Sequence, residues 1–264
     1  MCLGCAAGHS FDIARRGWVN LLQPQDRRSR RPGDSRAVAG ARRRLLERGV
    51  AAPLVAALRE LVGPVLAESP TPALLDMGCG EGFFLRSLAG EGEVEAHGID
   101  ISAEAIDLAA SCSPGVTFVV ANADRGLPYA DASFDVVTSI TARRHPEEMR
   151  RVLRPGGLVL IVVPAADDLI ELRDAVIGRG DGRGGERGER LEATLAPALV
   201  PDSYREVRHR MVLDGEALMD ALASTYRADR GARRERLSGL TELAVTFAWE
   251  LRGLRPVAGG GSGG

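Results

Sequence analysis

Between residues 73 and 164, short and almost wholly apolar runs alternate with segments of helical periodicity, and this restricts the fold most tightly. Ala73–Met77 reads as a buried strand, Phe83–Ala89 as the helix after it, Glu95–Asp100 as the next strand and Ala103–Ala110 as its helix. Val116–Val120 and Phe134–Ser139 follow as strands, Pro146–Leu153 as a helix, and Leu158–Val163 as a strand of unbroken aliphatics. Strands without polar alternation need cover on both faces, and helices between them make them parallel neighbours. The expected class is α/β: a mostly parallel sheet with helices on both faces.

The flanks are read more coarsely. Ahead of this block, Asp34-Ser35 looks like a cap for a helix over Ala37–Arg48, and Pro53–Leu66 carries a second helical pattern. Behind it, Val207–Leu213 and Leu243–Leu251 alternate as strands that extend the sheet in antiparallel fashion, with a helix over Gly215–Leu222 between them. Gly178–Gly188, rich in Gly and Arg, reads as a mobile loop or gate. The expected organisation is an N-terminal module and arginine-rich helical segment over 1–68, a main domain over 69–257 and a flexible tail over 258–264.

All 34 basic residues are arginine, and although the net charge is only −2, the distribution is uneven. Arg27, Arg28, Arg30, Arg31, Arg36, Arg42, Arg43, Arg44 and Arg48 crowd one stretch. Local charge decides whether a polyanion is attracted, so this stretch reads either as a phosphate track or as a solvated helical face. No apolar run approaches the roughly 18–20 residues of a membrane span, and no secretory leader is visible, so no membrane partner is expected. Four cysteines at positions 2, 5, 79 and 112 form no disulfide framework, which fits a cytoplasmic, reducing setting.

The segment Asp76-Met77-Gly78-Cys79-Gly80-Glu81-Gly82 joins the first strand of the block to its helix. Glycines there permit a sharp turn and close approach of a ligand to the backbone. The dinucleotide pattern G-x-G-x-x-G needs a small residue at position 83, where Phe83 stands, and this counts against NAD. Asp100 ends the second strand, where a carboxylate accepts hydrogen bonds from ribose hydroxyls. Asn122-Ala123-Asp124 follows the third strand, and then come Asp131-Ala132-Ser133-Phe134-Asp135 and Arg151-Val152-Leu153-Arg154-Pro155-Gly156-Gly157.

This ordered set resembles the class I S-adenosylmethionine-dependent methyltransferases, whose fold is Rossmann-like. The resemblance implies that Gly78 and Gly80 border the methionine end of S-adenosylmethionine and that Asp76 supports the loop. It also implies that Asp100 and Ile101 hold the ribose end, that Asn122 and Ala123 flank the adenine, and that Ser139 and Ile140 lie near the transferred methyl.

The run from Cys5-Ala6-Ala7-Gly8-His9 through Trp18-Val19-Asn20-Leu21-Leu22, with Gly33-Asp34-Ser35, Ala41-Arg42, Pro53-Leu54 and Glu148, is similar to the 23S ribosomal RNA guanine-N1 methyltransferases, which include macrolide-resistance enzymes. This resemblance implies ribosomal RNA as the acceptor and a homodimer; a small-molecule acceptor on the same scaffold is the alternative. In that family a Cys-x-x-Cys pair and a Cys-x-x-x-His pair bind zinc. Cys5 and His9 match only the second pair, which leaves zinc open because a structural site takes four ligands. Arg143 stands where the family has proline, in the loop that faces the acceptor. His145 in that loop is the candidate general base for the N1 proton, with a helix-capping role as its alternative, and Asp34 is a second candidate. Trp18 and Phe11 read as stacking faces for a splayed base or as core.

Overall fold

The structure is a computed structural model that describes residues 2–4, 8–23, 32–90, 93–177, 191, 193–196, 198–225 and 235–257. Cys5, the arginines at 27–31, the segment Gly178–Gly188 and the tail 258–264 lie outside the described residues. A small antiparallel hairpin of β1 (Cys2–Gly4) and β2 (Ser10–Asp12) opens the chain, and β3 (Val19–Asn20) follows. Helices α1 (Arg36–Glu47) and α2 (Ala52–Ala67) come next, then β4 (Ala73–Met77), α3 (Phe83–Ala89), β5 (Glu95–Asp100), α4 (Ala103–Ala110) and β6 (Thr117–Val120). The chain continues through β7 (Phe134–Ile140), α5 (Pro146–Val152), β8 (Leu153–Pro164), α6 (Ile170–Ile177), β9 (Leu199–Asp214), α7 (Gly215–Thr225) and β10 (Glu242–Pro256).

Eight strands form one sheet in the order β3-β6-β5-β4-β7-β8-β10-β9. The six from β3 to β8 are parallel; β10 runs antiparallel to β8 and pairs with β9 as a long hairpin. The chain winds outward from β4 through β5 to β6, then crosses back to β7 on the other side. That reversal puts a crevice outside the carboxyl ends of β4 and β7, the usual ligand position in an open α/β sheet.

The strands alternate between two cores. Leu74, Val136, Leu158, Leu160 and Val162 face one, with α2, α3, α4, α6 and α7, while Leu75, Val137, Val159, Ile161 and Val163 face the other, with α5. Two-sided cover of the sheet is therefore as expected, and so are the antiparallel strands at its end. The core is continuous across residue 68: Leu22, Leu45, Leu54 and Leu58 belong to the same cluster as Leu74 and Phe118. Among the described residues no separate apolar core distinguishes 1–68 from 69–257, because β3 is an edge strand of the main sheet and α1 and α2 cover one of its faces. Ser35 caps α1 as expected, its side chain accepting from the Val38 N–H at 3.4 Å.

Candidate functional site

The glycine loop between β4 and α3 is held from below by the strand beside it. The N–H groups of Gly78 and Cys79 both donate to the Ile99 carbonyl, at 2.7 and 3.1 Å, and that of Gly80 donates to Asp100 Oδ2 at 3.0 Å. Asp100 Oδ1 accepts from the Ser102 N–H at 2.8 Å. This carboxylate thus fixes the glycine loop and the start of α4 together, while each oxygen keeps a lone pair for a further donor. Gly78 has φ +76°, and a Cβ there would stand 2.4 Å from the Ala142 Cβ. The missing side chain therefore admits the loop after β7, a protein contact that the ligand-centred reading of this glycine did not foresee.

Four carboxylates and one guanidinium share this end of the sheet. Asp76 is fully buried and accepts from Thr138 Oγ1 at 2.7 Å; burial pushes its pKa up to about 7, against the effect of that hydrogen bond and with that of Asp100 and Glu81. Burial also raises Glu81 and Asp100, the first opposed by Arg42 and the second by its two backbone donors. Arg42 of α1 reaches over the loop: Nη2 meets Asp34 Oδ2 at 2.5 Å, Nη1 lies 3.5 Å from Glu81 Oε2, and a Cβ on Gly80 would be 3.3 Å from Nη1. Glu81 Oε2 is otherwise buried without a hydrogen-bond partner. Ser102 Oγ donates to the Asp34 carbonyl at 2.5 Å. Such a set, short of cations and with an unsatisfied acceptor, suits a ligand with a net positive charge.

Beyond β7, Thr141 takes φ +53°, a strained value for a β-branched residue. Ser139 is fully buried and its Oγ donates to the Arg143 carbonyl at 3.2 Å, while Ile140 is buried in the sheet. Arg143 reaches Asp124 Oδ2 at 3.2 Å, and Asp124 donates its own N–H to Asn122 Oδ1 at 3.1 Å. The residue in the proline position thereby ties the loop after β7 to the loop after β6. Ala123 is half-buried against the second core and Ile101 against the first.

His145 caps α5, Nδ1 accepting from the Glu148 N–H at 3.4 Å. In that tautomer Nε2 carries the proton, so a proton-accepting role would require surrender of the cap. The geometry favours capping over the general-base expectation. Asp34, the second candidate base, is engaged by Arg42.

The arginine stretch divides on inspection. Arg36 pairs with Asp107, Arg42 with Asp34 and Glu81, Arg43 with Glu47, Arg44 with Asp220, and Arg48 with Asp214 and Glu216. These five tie α1 to α4 and α7 or stay within its own neighbourhood, and they do not form a free phosphate track. Trp18 packs against the core and its indole N–H donates to Asp107 Oδ1 at 3.4 Å, which makes it a docking residue for the N-terminal segment. Sequence reasoning missed Arg42, Thr138 and Ala142 as site residues. Arg42 was hidden among eight similar arginines, and the other two contact the site only through tertiary packing.

A cavity of about 810 Å³ lined by Leu195, Leu199, Tyr204 and Leu254 lies against the β9–β10 hairpin, and none of its lining residues belongs to this site. Cys2 and His9 are exposed, and no group of three or more metal-ligating side chains occurs among the described residues. Among the described residues no single helix is long and apolar enough to cross a membrane.

The doubly wound sheet thus carries an acid-lined glycine loop at its switch point, where this fold class binds a nucleotide-type cofactor. A family profile described as a methyltransferase domain matches residues 74–157, and one described as RlmA, N-terminal, matches residues 2–30. The structure of YcgJ from Bacillus subtilis superposes with TM-score 0.51 at 16% identity, covering 77% of this chain and 98% of that one, which shows the fold alone. A Streptomyces fradiae protein named 23S rRNA (guanine(748)-N(1))-methyltransferase is 35% identical over 255 residues, 93% of this chain and 89% of its own length. A Bacillus subtilis relative with a 23S rRNA (guanine-N(1)-)-methyltransferase name is 33% identical over 89% of this chain and 83% of its own. The chain belongs to this family of 23S rRNA guanine-N1 methyltransferases and is an S-adenosylmethionine-dependent enzyme.

Proposed function

We propose that this protein transfers a methyl group from S-adenosylmethionine to N1 of a guanine in 23S rRNA. The observation that carries the proposal is the kinship along nearly the whole of both chains with proteins named for that reaction. A small-molecule methyltransferase sharing only the cofactor domain would not be expected to match over the N-terminal segment as well.

The buried carboxylates fit the donor, whose sulfonium and ammonium outweigh its carboxylate. Glu81 Oε2 and the open lone pairs of Asp100 are the acceptors offered to it, and Arg42 is the cation nearest the loop. The absent side chains of Gly78 and Gly80 leave room for Ala142 and Arg42 against the loop, Asp76 braces it through Thr138, and Asn122 and Ala123 follow the end of β6 for the adenine. Bound there, the donor supplies an electrophilic methyl whose departure requires no proton. The chain's own task is to hold guanine N1 in line and to exclude water, with the loop from Ser139 to His145 packed directly on the glycine loop. In a host that makes a macrolide, such a mark on its ribosomes would protect them.

The test offers radiolabelled donor to the purified protein with ribosomal RNA and a host metabolite extract side by side. Label in the RNA fraction is expected; label confined to the small-molecule fraction overturns the proposal.

A further inference from the structure

In the loop after β7, one cation stands without an anion. Arg144 is half-buried, its Nε is fully buried with no hydrogen-bond partner, and among the described residues it makes neither a hydrogen bond nor an ion pair. Its neighbours are all engaged elsewhere. Along the same loop and the start of α5, Arg143 holds Asp124, His145 caps α5 and Glu148 is bound by Arg151. Burial without compensation lowers the Arg144 pKa, which is the mark of a charge desolvated for no internal return.

A buried donor left unmade costs roughly 1–3 kcal/mol, more when charged. The backbone is strained at the same place, since Thr141 sits at φ +53° three residues earlier, and Ala142 presses the loop onto Gly78. Strain and an unmet charge thus lie three residues apart in the loop that packs on the glycine loop. Such costs persist when the surrounding structure holds a group ready for a ligand.

We propose that Arg144 is a substrate-binding cation that receives O6 of the target guanine and stabilises its N1-deprotonated form. This rests on the guanine-N1 reading above. In the reaction the N1–H bond breaks and its proton passes to solvent water as the base enters, before water is excluded from the methyl-transfer step. The pair left on N1 forms the new N–CH₃ bond, the S–CH₃ bond breaks, and its electrons stay on sulfur as the thioether product. Loss of the N1 proton spreads negative charge onto O6, and the Nη groups of a half-buried guanidinium that has no internal anion are matched to it; arginine also fits the O6/N7 edge as a two-pronged donor. The reaction then needs no dedicated protein base, which agrees with the engagement of His145 as a cap.

The experiment compares wild type, Arg144→Gln and Arg144→Lys for 1-methylguanosine formation on 23S rRNA across pH, with donor affinity and melting temperature measured in parallel. Wild type must form 1-methylguanosine; if it does not, the functional reading fails and Arg144 is not the cause. Given that, Arg144→Gln is expected to lose about 100-fold in kcat near neutral pH, as when an oxyanion donor is removed. Donor affinity should stay within about two-fold, and the deficit should shrink as rising pH deprotonates N1 without help. Arg144→Lys should keep an intermediate rate. An unchanged kcat in Arg144→Gln overturns the inference. So does a raised KM with kcat intact and a salt slope reduced by about one, which would assign Arg144 to a phosphate.

Discussion

Replacing Gly78 by alanine tests the packing on which the site depends. The added Cβ would lie 2.4 Å from the Ala142 Cβ, whereas carbon atoms rest at roughly 3.5–4.0 Å, so one loop must retreat by more than about 1 Å. The backbone at φ +76° adds a left-handed penalty of about 1–2 kcal/mol, and overpacking adds about 1–3 kcal/mol. The sum, ~2–5 kcal/mol, corresponds to a fall in Tm of roughly 4–20 °C for a chain of this size. Gly49→Ala is the control, because Gly49 has φ +87° with nothing within 4 Å of an added Cβ and so pays the backbone penalty alone. Thermal unfolding by circular dichroism reads both. In the double variant Gly78→Ala with Ala142→Gly the colliding methyl is gone, and the overpacking share should return as a coupling energy of about 1–3 kcal/mol. Equal losses for Gly78→Ala and Gly49→Ala, together with an additive double variant, would refute the contact.

Other consequences can be checked separately. Because burial raises Asp76 to about 7, a folded chain without donor holds that proton from the ordinary carboxylate range up to neutrality. A cationic donor favours the ionised form, so calorimetry should show its affinity rising with pH and levelling above about 7; a flat profile from pH 5 to 8 would count against it. Thr138→Val removes a hydrogen bond to the ionised Asp76 and should move that midpoint upward. Arg42→Gln removes the guanidinium that opposes the burial-raised pKa values of Glu81 and Asp100, so these carboxylates hold protons more readily and affinity for a cationic donor should fall, with unaltered affinity as the contrary result. Glu148, held down to about 2 by Arg151 and the Leu127 N–H, should lend stability that is full above pH 4.5 and lost as pH falls toward 2. Glu148→Gln should therefore cost about 1–3 kcal/mol in urea unfolding at neutral pH and little at the acid limit; an equal cost at both would contradict the assignment.

The parallel block was legible because each strand is apolar throughout and each helix starts or stops on a clear signal. Ala73–Met77 and Ala103–Ala110 are found at their expected bounds. The closing hairpin is much longer than the expected runs Val207–Leu213 and Leu243–Leu251. Its outer strand is an exposed edge, and Arg205, Glu206, Arg208 and Arg210 break the apolar pattern without breaking the strand. The acidic half of the site was legible in Asp76 and Asp100, which lie at a strand end beside glycines. Its basic half was not, since Arg42 and Arg144 differ from other arginines only in what surrounds them once the chain has folded.

The most direct test of the whole account is the nucleoside made. Wild-type protein, S-adenosylmethionine and unmodified 23S rRNA are incubated, the RNA is digested to nucleosides, and the products are resolved by mass spectrometry with mapping of the modified position. The account predicts 1-methylguanosine at a single site, absent without the donor. Methylation of another base, of another guanine atom, or of no RNA at all under conditions where the donor binds would contradict it.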